Sequence, residues 1–304
     1  MTAHVAVLLG GWSAEREVSL LSGAAVAEAL QKAGYKVTTI DAGRDVATTL
    51  YDLRPDVVFN ALHGPFGEDG KMQGLLDVIG LPYTHSPVMA SAIAMDKAMT
   101  KAVLAPQGIP FAESRVVHRD AVLAGDIMEM PYVLKPVNEG SSVGVRIVTS
   151  ENDFEIMRQQ PWSYGMHVLV EKYVPGRELT VAVMDGRPLE VLELRPRQGF
   201  YDYDAKYTEG LTDHILPAPM DAEDYALIRE YAAHAHKALG CRGVTRADFR
   251  YDETAAPGER IFMLEINTQP GMTPLSLVPE SAAHDGMDFV ALVRWITEDG
   301  LCRK

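Results

Sequence analysis

The chain of 304 residues holds only two cysteines, Cys241 and Cys302, too few for a disulfide framework. Both thiols are therefore expected to be free, in a reducing compartment. No apolar run approaches the length needed to cross a bilayer. Nor do Met1-Thr2-Ala3-His4 supply the basic stretch and apolar core of a secretory signal. Lysine and arginine do not gather into a stripe of the kind that grips nucleic acid, and 42 acidic against 28 basic residues leave a formal charge of −14. Internal repeats and low-complexity tracts are missing as well. These absences exclude nucleic-acid and membrane partners and lead us to expect a cytoplasmic protein with small ligands. An anionic ligand stays open, since local basic groups can outweigh net charge at a site.

What is present reads as two kinds of architecture. In the first third, strands are expected over residues 4–9, 35–40 and 56–62, with helices over 17–33 and 71–79 stopped by Gly34 and Gly80. Such alternation implies a parallel sheet in an α/β unit. The remainder reads as α+β. Strands at 132–135 and 143–148 flank a glycine- and serine-rich loop, and a helix capped by Ser150 and a strand at 168–174 follow. Next comes a hairpin of 179–184 and 189–194 around Asp185-Gly186, a dipeptide favoured by tight turns. A polar, aromatic loop over about 195–212 is long enough to suggest a function. Asp221 caps a helix ending before Gly240, strands at 244–250 and 261–267 carry dense polar residues, and a last helix covers about 288–296.

Side chains alternate along a strand, so Arg246 and Asp248 share one face. By the same rule Met263, Glu265 and Asn267 share a face, leaving Phe262, Leu264 and Ile266 to a core. Asp248, Glu265 and Asn267 are oxygen donors suited to a hard cation such as Mg²⁺. The competing reading is a solvated face of salt bridges with Arg246 and Arg250. The loop Glu139-Gly140-Ser141-Ser142-Val143-Gly144 can wrap phosphate, although it lacks the Gly-Lys-Ser/Thr ending of a P-loop. Lys135 beside it adds a cation. Lys97 is either another or simply solvated. The segment around Glu171, Val174 and Glu178 is either a linker or a connector whose backbone meets an adenine edge and whose Glu178 meets ribose. Gly10-Gly11-Trp12-Ser13-Ala14-Glu15 does not supply the glycines of a dinucleotide fingerprint, which disfavours an NAD-dependent dehydrogenase. Glu15 suits a cationic group such as a substrate ammonium. His63 stands at the carboxyl end of the third strand, where open α/β sheets bind ligands, or serves there as a structural cap.

Several stretches in order resemble the D-alanine–D-alanine ligases of the ATP-grasp superfamily. They are Gly10-Gly11-Trp12-Ser13-Ala14-Glu15-Arg16-Glu17-Val18-Ser19, His63-Gly64-Pro65-Phe66-Gly67-Glu68-Asp69-Gly70, residues 139–144, Tyr201-Asp202-Tyr203-Asp204-Ala205-Lys206-Tyr207, and Glu265-Ile266-Asn267-Thr268-Gln269-Pro270-Gly271-Met272-Thr273. The resemblance runs from the first strand to the last helix. Two departures are Thr245-Arg246-Ala247-Asp248 for the usual Gly-Arg-Ile-Asp, and Pro274-Leu275 where a Ser-His pair is frequent.

The resemblance implies a three-domain ATP-grasp architecture: residues 1–90 on the first D-alanine side, a central domain over 91–175, and a catalytic domain over 176–304 bearing a lid. ATP would lie between the last two, contacted by Lys97, Lys135, Glu171, Val174, Glu178 and Lys206. Two Mg²⁺ ions, replaceable by Mn²⁺, would sit on Asp248, Glu265 and Asn267. Glu15 would pair with the first ammonium, beside His63, while Arg246 and the Gly271 N–H would stabilise an oxyanion. Ser276, Leu277 and Lys206 would serve the second D-alanine and the transferred phosphate. Tyr207, linked to Ser141 and Glu15, would hold the lid shut; relatives forming a depsipeptide tend to carry Phe there, so Tyr207 favours a peptide product. The implied activity is ATP-dependent joining of two D-alanines through a D-alanyl phosphate, for peptidoglycan precursors, in a cytoplasmic homodimer. Alternatives are a related ligase using D-lactate or D-serine, and a nucleotide-binding regulator without catalysis.

Overall fold

The computed structural model describes residues 2–125, 127–138, 140, 144–162, 164–197, 208 and 210–302. The first unit is a parallel sheet of β1 (His4–Leu9), β2 (Lys36–Asp41) and β3 (Val57–Asn60) in the order β2-β1-β3. Both faces of β1 are covered, which is why it reads as a continuous apolar run. Val5 and Val7 pack towards helix α1 (Arg16–Lys32), while Ala6 and Leu8 pack towards α2 (Val46–Leu53) and α3 (Lys71–Ile79). The expected stops hold: Gly34 and Gly80 take the left-handed conformation just past α1 and α3. Helix α2 was not expected. It ends where Arg54 turns left-handed ahead of Pro55.

Two further helices, α4 (Val88–Met95) and α5 (Lys97–Leu104), are separated by the single residue Asp96. Extended backbone at Asp96 breaks α4, and its carboxylate caps α5 by accepting from Ala98 N at 3.0 Å and Met99 N at 2.9 Å. The uniformly apolar sequence of α4 has no amphipathic period to announce it. A four-stranded sheet follows, ordered β4-β7-β5-β6, from β4 (Ser114–His118), β5 (Tyr132–Lys135), β6 (Arg146–Val148) and β7 (His167–Lys172). Helices α6 (Arg119–Ala124) and α7 (Glu151–Gln159) close one face, over Tyr132, Leu134, Val168 and Val170. Ser150 Oγ caps α7 by accepting from Asp153 N at 3.3 Å, as the spacing predicts. The other face carries Val133, Lys135, Ile147 and Glu171.

The third sheet, ordered β10-β9-β8-β11-β12, is antiparallel. Its strands are β8 (Arg177–Met184), β9 (Arg187–Pro196), β10 (Thr212–Ile215), β11 (Val244–Tyr251) and β12 (Ile261–Asn267). The β8–β9 turn puts Asp185 at φ 48° and Gly186 at φ 78°, the doubly left-handed turn that matches strand twist. Helix α8 (Ala222–Ala238), capped by Asp221, covers one face through Ile228, Ala232 and Ala235 against Val181, Ala247 and Phe249. Ala90 and Ala94 of α4 and Leu104 of α5 join that same core. Helices α9 (Leu277–His284) and α10 (Phe289–Leu301) then return to the first unit, where Leu292, Val293 and Ile296 are fully buried beside Val5 and Phe59. Burying each such side chain stabilises by roughly 1.5–3 kcal/mol, which ties the end of the chain to its beginning.

The loop expected over about 195–212 is shorter at both ends. Strand β9 runs on to Pro196, and β10 starts at Thr212, with Arg197 paired to Asp213 at 2.8 Å. Both cysteines are free thiols, Cys241 buried and Cys302 exposed. No helix among the described residues is long and apolar enough to cross a membrane.

Candidate active site

The open faces of the second and third sheets look at each other across a cleft of about 320 Å³. One wall is Val133, Lys135, Ile147 and Glu171; the other is Glu178, Asp248, Arg250, Leu264 and Glu265, and the connector with Val174 closes one end. Strict alternation along β11 sends Ala247, Phe249 and Tyr251 to the core and Arg246, Asp248 and Arg250 to the cleft side.

The partner strand does not alternate. The register steps from Asp248↔Glu265 to Phe249↔Met263, so Leu264 is the extra residue of a β-bulge. Leu264 and Glu265 therefore both face the cleft, while Ile261, Met263 and Ile266 enter the core. This corrects the expectation that Met263 shares a face with Glu265 and that Leu264 is core. An extra residue inverts every side chain beyond it, and the sequence carries no mark of it.

Two acidic groups thus stand directly opposite each other, an arrangement that is unfavourable unless balanced. Asp248 accepts from Arg246 Nε and Nη2, both at 2.8 Å, and from Thr180 Oγ1 at 2.6 Å. Glu265 lies 3.0 Å from Lys97 Nζ, whose side chain is 10% exposed, so Lys97 is not a solvated lysine. Arg250 pairs instead with Glu178 at 3.6 Å. The carboxylates are ion-paired, Asp248 with Arg246 as the salt-bridge reading expects and Glu265 with Lys97, and with Asn267 they are the oxygen donors of the metal reading. That set fits a hard cation.

Glu171 is 3% exposed, and both of its oxygens are engaged. Lys135 donates to Oε1 at 2.5 Å, and Lys101 donates to Oε2. Lys101 also reaches Ser114 Oγ at 2.8 Å and Ala112 O at 3.3 Å. Burial pushes the Glu171 carboxyl up, but Lys135 and Lys101 outweigh it and hold the group below its ordinary value. For Lys101, burial wins over the attraction of Glu171 and keeps the ammonium below the usual lysine value. Sequence reading missed Lys101. The available signal was its position one helical turn after Lys97, on the same side of α5.

Next to the cleft is a smaller polar cavity of about 90 Å³, lined among others by Glu15, His63, Arg246, Asn267, Gly271 and Leu277. Glu15, at the N-cap of α1, is buried, and its N–H donates to Ser13 Oγ at 3.2 Å. Ser13 Oγ in turn donates to His63 O at 2.6 Å, so one hydroxyl fixes both residues. The His63 ring sits between Glu68 Oε1 at 2.9 Å and Ser22 Oγ at 3.1 Å, while Met272 N donates to that same Ser22 Oγ at 3.3 Å. With Glu68 accepting, this network assigns the proton to Nδ1 and leaves Ser22 to donate to Nε2. His63 is thus both held structurally and exposed to the cavity. Ser276 accepts from Thr273 N at 2.9 Å and packs so close to Gly271 that a Cβ there would stand 2.8 Å from its Oγ. Leu277 lines the cavity and packs with Leu192 and Leu194. Cleft and cavity meet at Lys97, Gly140 and Glu265, which line both. The expected site residues Ser141, Lys206 and Tyr207 lie outside the described residues.

The connector behind the cleft is pinned by Arg250, which donates to Val174 O at 3.2 Å and Gly176 O at 2.6 Å. Gly176 has φ +95°, and a Cβ on it would come within 2.1 Å of Tyr251 O. Gly176→Ala is therefore expected to destabilise by at least about 1–3 kcal/mol of backbone strain, with a raised KM for ATP. Thermal unfolding and ATP titration check this; an unchanged Tm would rule out so tight a connector.

Two antiparallel sheets gripping a cleft, with a parallel α/β unit supplying a second pocket, define an ATP-grasp ligase. The comparisons narrow this to a family. The description "D-ala D-ala ligase C-terminus" matches residues 104–298, and "D-ala D-ala ligase N-terminus" matches residues 44–86. The chain is 54% identical over 302 residues to the D-alanine–D-alanine ligase of Agrobacterium fabrum, covering 98% of each. It is 56% identical over 306 residues to that of Rhodospirillum rubrum, covering 99% of each. The D-alanine–D-alanine ligase of Bacillus anthracis in complex with ATP superposes with a TM-score of 0.83 at 28% identity, over 99% of this chain and 98% of that one. The chain belongs to the D-alanine–D-alanine ligase family and is an ATP-dependent ligase.

Proposed function

We propose that the chain joins two D-alanine molecules, with ATP in the larger cleft and the first D-alanine in the smaller cavity. The observation that carries this is their junction: Lys97, Gly140 and Glu265 line both, so a phosphate from one side can meet a carboxylate from the other. The carboxylate of the first D-alanine attacks the γ-phosphorus, the bond to ADP breaks, and D-alanyl phosphate forms. The free amine of the second D-alanine then attacks the acyl carbon, the carbon–oxygen bond to phosphate breaks, and the proton lost by the nitrogen leaves with the phosphate as the peptide bond forms.

Such chemistry depends on positioning and charge more than on covalent help. Lys97 and Lys135 would hold phosphate oxygens, Glu171 and Val174 the adenine, and Glu178 the ribose. Glu15 would take the first ammonium beside His63. Arg246 and the Gly271 N–H would face the tetrahedral oxyanion, where one well-placed donor is worth about 3 kcal/mol. Ser276, Leu277 and Lys206 would serve the second D-alanine and the departing phosphate. On the resemblance alone, the loop around Ser141 is assigned to phosphate, and Tyr207 of the lid is assigned a link to Ser141 and Glu15. Asp248, Glu265 and Asn267 would hold two Mg²⁺ ions, whose charge, when bound, offsets that of the phosphates. We further assign three domains, 1–90, 91–175 and 176–304, a cytoplasmic setting and a homodimer.

The test is ADP release with Mg²⁺-ATP and D-alanine, beside L-alanine, D-serine and D-lactate. Turnover with D-alanine alone, giving the dipeptide, is expected. Turnover only with another acceptor would leave the ATP chemistry and overturn the substrate. Nucleotide binding without turnover on any of them would favour a regulator.

A further inference from the structure

The segment that follows β12, from Thr268 on, carries the Gly271 N–H, yet it is anchored to the first unit of the fold. The anchor is the side chain of Gln269, which is 1% exposed. Its Nε2 donates to Leu62 O, the carbonyl just before His63, and its Oε1 accepts from Asn60 Nδ2 at 2.9 Å across 209 residues of sequence. Asn60 and Gln73 are equally buried and both donate to Gly67 O, at 3.0 and 2.9 Å. Asn60 Oδ1 accepts from Leu62 N at 3.2 Å. Three buried amides therefore set the loop that bears His63 and Glu68. The backbone of Gln269 works in the other direction: its N–H donates to Asn267 Oδ1 at 2.8 Å and so orients that carboxamide. Three residues on, Met272 N donates to Ser22 Oγ, the partner of His63. Gly271 is thus bracketed by two ties to the unit that forms the first-substrate cavity.

We propose that Gln269 is a positioning residue for the ligase reaction. Its side chain fixes the distance between the pocket of the first D-alanine and the strand end that carries Asn267 and the Gly271 N–H. This rests on the functional reading above. Phosphoryl transfer to a bound carboxylate needs the two halves of the site in near-attack geometry, and a misplacement of about 1 Å is felt as roughly a hundredfold in rate. A buried amide with a donor and an acceptor used in opposite directions suits that task, because a shift in either direction breaks a buried hydrogen bond.

The experiment uses the full chain with Mg²⁺-ATP and D-alanine. Gln269→Met keeps the side chain's length but removes its hydrogen bonds to Leu62 O, Asn60 and Gln73. It is expected to lower kcat about a hundredfold and to raise KM for D-alanine at the first site, while KM for ATP stays within about twofold. Gln269→Glu keeps the acceptor towards Asn60 but loses the N–H towards Leu62 O, so it is expected to lower kcat as well, with KM for ATP again within about twofold. An unchanged kcat in Gln269→Met overturns the proposal, as does an equal loss in every kinetic constant that follows the fraction folded. Where Gln269→Met does not fold, Gln269→Glu decides, and a kcat equal to the parent's overturns the proposal. A parent that fails to turn over D-alanine overturns the functional reading and the proposal with it, whereas a working parent beside an unaffected variant overturns the proposal alone.

Discussion

Glu265→Gln is expected to lower turnover by about a thousandfold or more, the scale on which loss of a principal electrostatic stabiliser is felt, while barely changing stability. The reason lies in the register of β11 and β12, which sets Asp248 directly against Glu265. Like charges in that relation oppose folding, and here they persist because Arg246 and Lys97 balance them. The substitution keeps the shape of the side chain and relieves the repulsion, but it removes the negative charge that faces Lys97 Nζ at 3.0 Å. These terms oppose each other to within about 1 kcal/mol, so Tm should move by no more than about 2–4 °C. Function has no such compensation. Amide for carboxylate removes one negative charge from the oxygen set proposed with Asp248 and Asn267, and a hard divalent cation is held mainly by charge. Thermal shift with ATP, measured with and without Mg²⁺, separates the effects. The parent should gain Tm with Mg²⁺-ATP beyond ATP alone, and the variant should lose that increment. Turnover near the parent's, or an intact Mg²⁺-dependent shift, would remove Glu265 from the metal's coordination.

Which parts of this site could be read in advance follows from how far apart the interacting residues lie. Arg246 and Asp248 were placed correctly because alternation within one strand is a local property, and β11 is regular from Val244 to Tyr251. Met263 and Leu264 were misplaced because the bulge is a property of the strand pair, visible only once β12 is set against β11. Gly34, Gly80 and Asp221 marked helix ends through their own backbone and side-chain chemistry. Helix α4 has no polar face to betray it, and β4 and β10 are short edge strands with little apolar content. The Lys101–Glu171 pair spans 70 residues and the Asn60–Gln269 pair 209, and no local pattern encodes such contacts. Glu15 and His63 are read from their places at strand ends, Gly271 and Ser276 from the resemblance, and all four line one cavity. The resemblance gives no role to the residues behind them, Ser13, Ser22, Glu68 and Gln269, which hold the site residues by hydrogen bonds.

Lys101→Met is expected to destabilise the fold by about 3 kcal/mol, the low end for removing one partner of a buried ion pair, because Lys135 stays with Glu171. In the parent, the Glu171 carboxylate has a lysine on each oxygen. Lys101 lies deep beside Ser114 and Ala112, whereas Lys135 lines the cleft. Lys101 thus shares the neutralisation of Glu171, which would leave Lys135 available for the phosphate proposed for it. Without it, Lys135 is the sole counter-ion of a buried carboxylate, and drawing it away would leave that charge uncompensated. KM for ATP should therefore rise about tenfold, equivalent to about 1.4 kcal/mol, with KM for D-alanine unaffected. A pH effect follows with a definite sign. The Glu171 carboxyl sits below its ordinary value, burial pushing it up and Lys135 and Lys101 together pulling it further down. A group depressed by folding stabilises above its unfolded value and loses that contribution as pH falls through its folded value. Removing one of the two lysines moves the folded value upward, so acid unfolding of Lys101→Met should begin at a higher pH than in the parent. Adding Glu171→Gln should recover most of the lost stability, since an intact apolar or neutral site is less costly than a broken ion pair, yet leave ATP binding weak because the carboxylate assigned to the adenine is gone. Acid titration followed by tryptophan fluorescence, with ATP kinetics on both variants, tests each step. An acid midpoint and a KM for ATP that both match the parent's would show that Lys101 neither balances Glu171 nor frees Lys135.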